Sequence, residues 1–95
     1  MQVLNRHTHG IPNGAVYVGR PSEFGNPFTV KDHGRGRCIE LYREWIMTQP
    51  ALLARVRKHL KGKYLVCSCA PLPCHADVLM ELANPGFDKA THVPF

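Results

Sequence analysis

The chain contains no apolar run long enough to cross a membrane, no internal repeat and no low-complexity tract. Its first residues do not have the charged start and apolar stretch of a signal peptide, so we expect a cytoplasmic protein. Acidic residues are scarce, since 7 Asp and Glu stand against 12 Lys and Arg for a formal net charge of +5. That balance favours an anionic partner such as a nucleotide or nucleic acid, although a soluble protein can also simply be basic. The lack of a long apolar run indicates no membrane partner.

Strand-like segments occur at 3–4, 15–18 and 64–67. These runs are short and rich in β-branched, aromatic or apolar residues, and the third is almost continuously apolar, as in a strand covered on both faces. A long helical stretch separates the second from the third, which favours a parallel pair with a right-handed crossover. Residues 28–30 resemble a short extended piece and residues 31–36 a loop.

Helix-like segments fill most of the remaining chain. Apolar residues recur at helical spacing over 37–48, over a second helix that begins at Pro50 and stops near Gly62, and over 74–83. The 95 residues therefore predict a single small α/β domain, a Rossmann-like fragment with a short, parallel-containing sheet flanked by about three helices. The predicted parallel pair at 15–18 and 64–67 would by itself be a sheet of only two strands, which is marginally stable, so we expect that the chain could form a homodimer. The tail at 85–95 has no clear pattern.

Reactive side chains concentrate in the segment 67–77, between the last predicted strand and the last predicted helix. A first interpretation is a zinc site, since three thiols and an imidazole form a recognised zinc ligand set: Cys67, Cys69, Cys74 and His75. The adjacent Cys-His pair and the Cys-x-Cys spacing are unusual for such a site.

A second interpretation makes Cys74 a reactive thiolate. Cys74 would lie at or beside the first residue of a helix, where free N–H groups and the helix dipole lower the pKa of a thiol. His75 or Asp77 would then act as acid, base or orienting group. A third interpretation treats the cysteines as small buried hydrophobic residues, which suits Cys67 and Cys38 best.

The loop 19–28 follows the second predicted strand and would meet the segment 67–77 at the carboxyl edge of a parallel sheet. Arg20 offers a planar fork for phosphate or carboxylate. The other candidate binding residues are two small polar side chains and two glycines that permit close backbone approach: Ser22, Asn26, Gly19 and Gly25. Phe24 or Tyr17 would stack on a base. The sequence matches neither common phosphate-loop pattern, and a rigid turn with a solvated arginine remains the alternative.

Two stretches of the chain together resemble a known family. They are Val16 to Ser22 with Gly25-Asn26-Pro27-Phe28, and Cys67-x-Cys69 with Pro71-x-Pro73-Cys74-His75-x-Asp77-Val78-Leu79. They are similar to a domain-of-unknown-function family of bacteriophages and bacteria, number four-three-two-six in its series. The resemblance covers about 16–83. The resemblance implies a compact α/β fold with a pocket lined by the two motifs, and it indicates no activity. If the chain is phage-encoded, we expect it in the host cytoplasm.

That family usually has tryptophan at the positions of Phe24 and Ser68, so the resemblance implies less aromatic stacking here. The residues predict a pocket for a nucleotide, nucleoside or nucleic-acid phosphate, with Arg20 on the anion and Cys74 as the reactive group of a Cys-dependent enzyme. The alternative is a zinc-stabilised module without catalysis, whose basic helix at 50–63 binds nucleic acid or protein. An inhibitor of a host factor is a third hypothesis. The first requires Arg20 and Cys74 to share one crevice.

Overall fold

The computed structural model describes residues 3–68 and 74–84, which form three strands and five helices. Cys69 and the predicted tail at 85–95 lie outside the described residues. In chain order the elements are β1 (Val3–Asn5), α1 (Arg6–His9), β2 (Val16–Tyr17), α2 (Val30–His33), α3 (Arg35–Ile46), α4 (Pro50–His59), β3 (Leu65–Cys67) and α5 (His75–Ala83).

The three strands form one parallel sheet in the order β1-β3-β2. Leu65 lies opposite Val3 on one side and Val16 on the other, and all three β3 residues are buried. The parallel α/β architecture is therefore confirmed. The third strand removes the argument for a homodimer that depended on a two-stranded sheet, and homodimerisation stays a prediction.

The three long helices also confirm the helical pattern, with bounds that differ by one to two residues. Pro50 occupies the first turn of α4. Tyr42 and Ile46 of α3, Val56 of α4 and Leu79 of α5 are completely buried in one core with β3. Within the described ranges, no helix is long and apolar enough to span a membrane.

The prediction of a loop at residues 31–36 was wrong, because α2 and the start of α3 occupy most of this segment. Of the predicted extended piece at 28–30, Thr29 has extended backbone angles and Val30 begins α2. The Thr29 hydroxyl caps α2 by accepting from the N–H of Asp32 (3.2 Å) and donating to its carboxylate (2.7 Å). Gly34, at φ 78°, then separates α2 from α3, which begins at Arg35. Neither α2 nor the equally short α1 has any apolar periodicity, so pattern analysis finds neither.

Candidate ligand pocket

The carboxyl ends of β2 and β3 border a pocket of about 280 Å³. Arg20 and Cys74 both line this pocket. The loop after β2 and the start of α5 therefore border one crevice, which the nucleotide-pocket hypothesis requires. The juxtaposition follows from the parallel pairing, which places both strand ends at one edge of the sheet. The roles of the two side chains in binding or chemistry stay predictions.

Most of the predicted site residues lie on this pocket, and some do not. Those that line it are Gly19, Arg20, Asn26, Cys67, Cys74 and His75. Ser22, Gly25 and Asp77 are described but are not part of the lining. Cys69 lies outside the described residues.

Asn26 joins the loop after β2 to α3. Its side chain is 8% exposed. Its Nδ2 donates to Cys38 Sγ (3.0 Å), and its Oδ1 accepts from the N–H of Phe28 (2.9 Å). Burial of an amide with these partners makes Asn26 a rigid part of the wall, because each lost hydrogen bond would leave a buried polar group unsatisfied.

Gly25 and Ser22 shape the loop after β2 without lining the pocket. The N–H of Ser22 donates to the carbonyl of Gly19 (2.9 Å), and the N–H of Gly25 donates to the carbonyl of Ser22 (3.0 Å). A Cβ on Gly25 would lie 3.1 Å from both the Cα and the N of Arg20. Gly25 therefore permits the close packing that holds the backbone of Arg20, and its contact with a ligand stays a prediction.

Cys74 is the N-cap of α5, and its sulfur lies 3.1 Å from that of Cys67. Its N–H donates to the Asp77 carboxylate (3.1 Å), so Asp77 stabilises the helix start. The contact with the Cys67 thiol and the burial of the side chain raise the pKa of Cys74. The depressed pKa expected from the helix terminus is therefore wrong, because these two effects outweigh the nearby backbone N–H.

His75 links α5 to the end of β2. Its Nε2 lies 2.7 Å from the carbonyl oxygen of Val18, and its ring packs edge-on against Tyr42 at 5.1 Å between centroids. A carbonyl only accepts, so Nε2 carries the proton in this hydrogen bond. Burial lowers the pKa of His75 and outweighs the hydrogen bond to Val18 and the charge of Asp77, which both raise it. His75 thus uses Nε2 for the fold, which leaves Nδ1 for any acid-base role.

Stability should depend on pH through His75. Because its folded pKa is lowered below the ordinary value of 6.5, the unfolded chain takes up the proton first as the pH falls. The contribution of His75 is fully present above that value and is lost as the pH falls through the folded pKa. We expect the free energy of unfolding, measured by urea titration from about pH 7 to about pH 5, to fall more steeply for the wild type than for His75→Gln. Parallel curves would contradict this prediction.

The zinc interpretation remains untested, because one of its ligands, Cys69, is outside the described ranges. Among the residues that are described, no three His, Cys, Asp or Glu side chains converge as a metal site requires. Cys67, Cys74 and His75 alone therefore do not form such a site. Metal analysis of freshly purified protein would test the full set.

Several lining residues were missed by the sequence analysis. Arg35 begins α3 and is a second arginine in the lining, and Phe28 is an aromatic residue in it. The Gly-Arg-Gly-Arg run at 34–37 was the available signal for Arg35, but it was assigned mostly to a loop. Phe24, predicted as a stacking residue, is 7% exposed and belongs to the core.

Comparisons with known proteins identify a family and a relative of this chain. The model of a family described as "Domain of unknown function (DUF4326)" matches residues 2–85. An "Uncharacterized 12.4 kDa protein in nrdA-td intergenic region" of Enterobacteria phage T4 is 32% identical over 73 residues, which cover 73% of this chain and 67% of that protein. No solved structure matches the chain. The matched family is the one that the two sequence motifs indicated.

Proposed function

Since the chain belongs to the DUF4326 family, whose description names no activity, we propose from the pocket that it binds the phosphate group of a nucleotide. The observation that carries the proposal is the charge of the lining. The lining includes two arginines, Arg20 and Arg35, and no Asp or Glu among the described residues. Guanidinium groups recognise phosphate oxygens with paired, directional hydrogen bonds.

The rest of the lining suits the remainder of a nucleotide. Phe28 and Tyr17 offer aromatic surface for a base, and Ser68 adds a neutral polar group. A volume of about 280 Å³ lies just below the usual range of ligand pockets, which is about 300–1,000 Å³. This size favours one nucleotide unit over a duplex. A nucleic acid would enter by a single phosphate or terminal nucleotide.

The proposal is for binding and does not include attack by a thiolate. Both pocket cysteines of the 67–77 segment are buried, Cys67 at 1% and Cys74 at 4% exposure. The raised pKa of Cys74 keeps it protonated near neutral pH. Attack by Cys74 on a bound nucleotide would need the ligand to change that state.

Calorimetric titration tests the proposal with mononucleotides of each base, the matching nucleosides, inorganic phosphate and a short single-stranded oligonucleotide. We expect mononucleotides to bind more tightly than nucleosides. Arg20→Gln should weaken mononucleotide binding about 10–100-fold, as expected for loss of about 1.5–3 kcal/mol in a charged hydrogen bond. Arg57→Gln is the matched control, since Arg57 is exposed on α4 and is not part of the lining.

Three results would each overturn the proposal. The first is binding that does not depend on the phosphate group. The second is equal loss of affinity in Arg20→Gln and Arg57→Gln. The third is no binding of any of these ligands at millimolar concentration. Tight binding of the oligonucleotide with weak binding of every mononucleotide would assign the phosphate to nucleic acid instead.

A further inference from the structure

The thiols of Cys67 and Cys74 contact each other, whereas the thiol of the third described cysteine, Cys38, is hydrogen-bonded to other residues. Their sulfurs are 3.1 Å apart, and both residues line the pocket. Cys67 is the last residue of β3 and Cys74 the cap of α5, so the pair spans two elements of the core. Cys38 also lines the pocket, but its sulfur donates to the Phe28 carbonyl (3.0 Å) and accepts from Asn26.

We propose that Cys67 and Cys74 are an oxidisable dithiol, a modification site at which hydrogen peroxide forms a disulfide between β3 and α5. A disulfide requires a sulfur–sulfur distance of about 2.05 Å, so closure needs the two sulfurs to approach by only about 1 Å. The proximity is fixed by the fold before any oxidant arrives, which favours this pair over any bond between two molecules.

Hydrogen peroxide can reach the sulfurs because it is small and both residues border the pocket, although neither is more than 4% exposed. One sulfur attacks a peroxide oxygen and breaks the O–O bond, which leaves a sulfenic acid and releases one water that carries the thiol proton. The second sulfur then displaces the hydroxyl of the sulfenic acid, the S–S bond forms, and the second proton leaves in another water. Two electrons pass from the sulfurs to the peroxide. A thiol reductant reverses the modification.

Peptide mapping tests the proposal without using the ligand of the pocket, so its outcome is independent of the proposed function. The full chain is incubated with a metal chelator and hydrogen peroxide, alkylated and digested, before and after reduction. We expect a loss of two hydrogens in mass and one linked peptide pair that joins Cys67 to Cys74. Cys67→Ser and Cys74→Ser should abolish that bond, whereas Cys38→Ser and Cys69→Ser should retain it.

A second measurement covers the case in which a serine variant does not fold. Wild-type protein oxidised in urea should distribute its disulfides among several cysteine pairs, whereas the folded protein should give the single Cys67–Cys74 bond. The proposal fails if peroxide leaves all thiols open to alkylation, or if the native disulfide joins Cys69 or Cys38 to another cysteine. It also fails if folded and unfolded chains give the same mixture of disulfides.

Discussion

Tyr42→Ala should lower the free energy of unfolding by about 3–5 kcal/mol, the usual cost of truncating a buried aromatic residue. Tyr42 is completely buried, and its ring packs against both Trp45 and His75. A domain of this size has about 5–15 kcal/mol of stability in total, so this single change removes a large share of it. The expected observation is a large fall in the urea midpoint, with partial unfolding in the absence of urea.

Tyr42→Phe separates packing from hydrogen bonding at the same position. The Tyr42 hydroxyl donates to the carbonyl of Phe24 (2.8 Å), and burial raises the pKa of Tyr42, which keeps the hydroxyl protonated. The phenylalanine variant keeps the ring and loses this bond, at a cost of about 1–2 kcal/mol. Tyr64→Ala, at a residue that is 36% exposed, should cost far less than Tyr42→Ala. Equal effects of the two alanine variants would contradict the position of Tyr42 in the core.

Tyr42 also shows why the pocket depends on the core. Its hydroxyl holds the loop after β2 at Phe24, and its ring holds His75, which in turn reaches the carbonyl of Val18. The two segments that form the pocket are therefore joined by one buried side chain of α3. Nothing in the local sequence around Tyr42 reveals this connection, because the partners lie 18 and 33 positions away.

The fold was largely predictable because its signals are local. The apolar run of β3 reports a strand covered on both faces, and the long helices show apolar residues at helical spacing. The single-turn α2 was not predictable in that way, since it contains no buried residue and is defined by the cap of Thr29. Similar polar clusters are common in loops, so a capping residue such as Thr29 does not by itself identify a helix from the sequence.

The candidate site was predictable in position but not in chemistry. Parallel strand ends place Arg20 and Cys74 at one edge, which follows from topology alone. The state of Cys74 depends instead on the approach of the Cys67 sulfur to 3.1 Å, a distance that sequence spacing does not determine. Likewise, Phe28 lines the pocket whereas Phe24 is buried in the core. This difference depends on tertiary packing, which the local sequence does not determine.

Gly25→Ala should destabilise the protein by about 1–3 kcal/mol, in the range of overpacking a well-filled site. The new Cβ would lie 2.8 Å from Cγ of Arg20 and 3.1 Å from its Cα and N. The side chain of Arg20 can rotate away, but its backbone atoms belong to the turn closed by Ser22 and Gly19 and can move only with that turn. The change should also displace Arg20 and so weaken nucleotide binding under the proposed function.

Gly36→Ala is the matched control, because it adds the same methyl group at a helical position with nothing within 4 Å. Alanine is favoured over glycine in a helix by about 0.5–1 kcal/mol, so this variant should be slightly more stable than the wild type. Urea unfolding of both variants measures the two effects with opposite signs. A neutral or stabilising effect of Gly25→Ala would mean that the turn has room for a side chain. That result would contradict the inference that close packing of Gly25 against Arg20 positions Arg20 at the pocket.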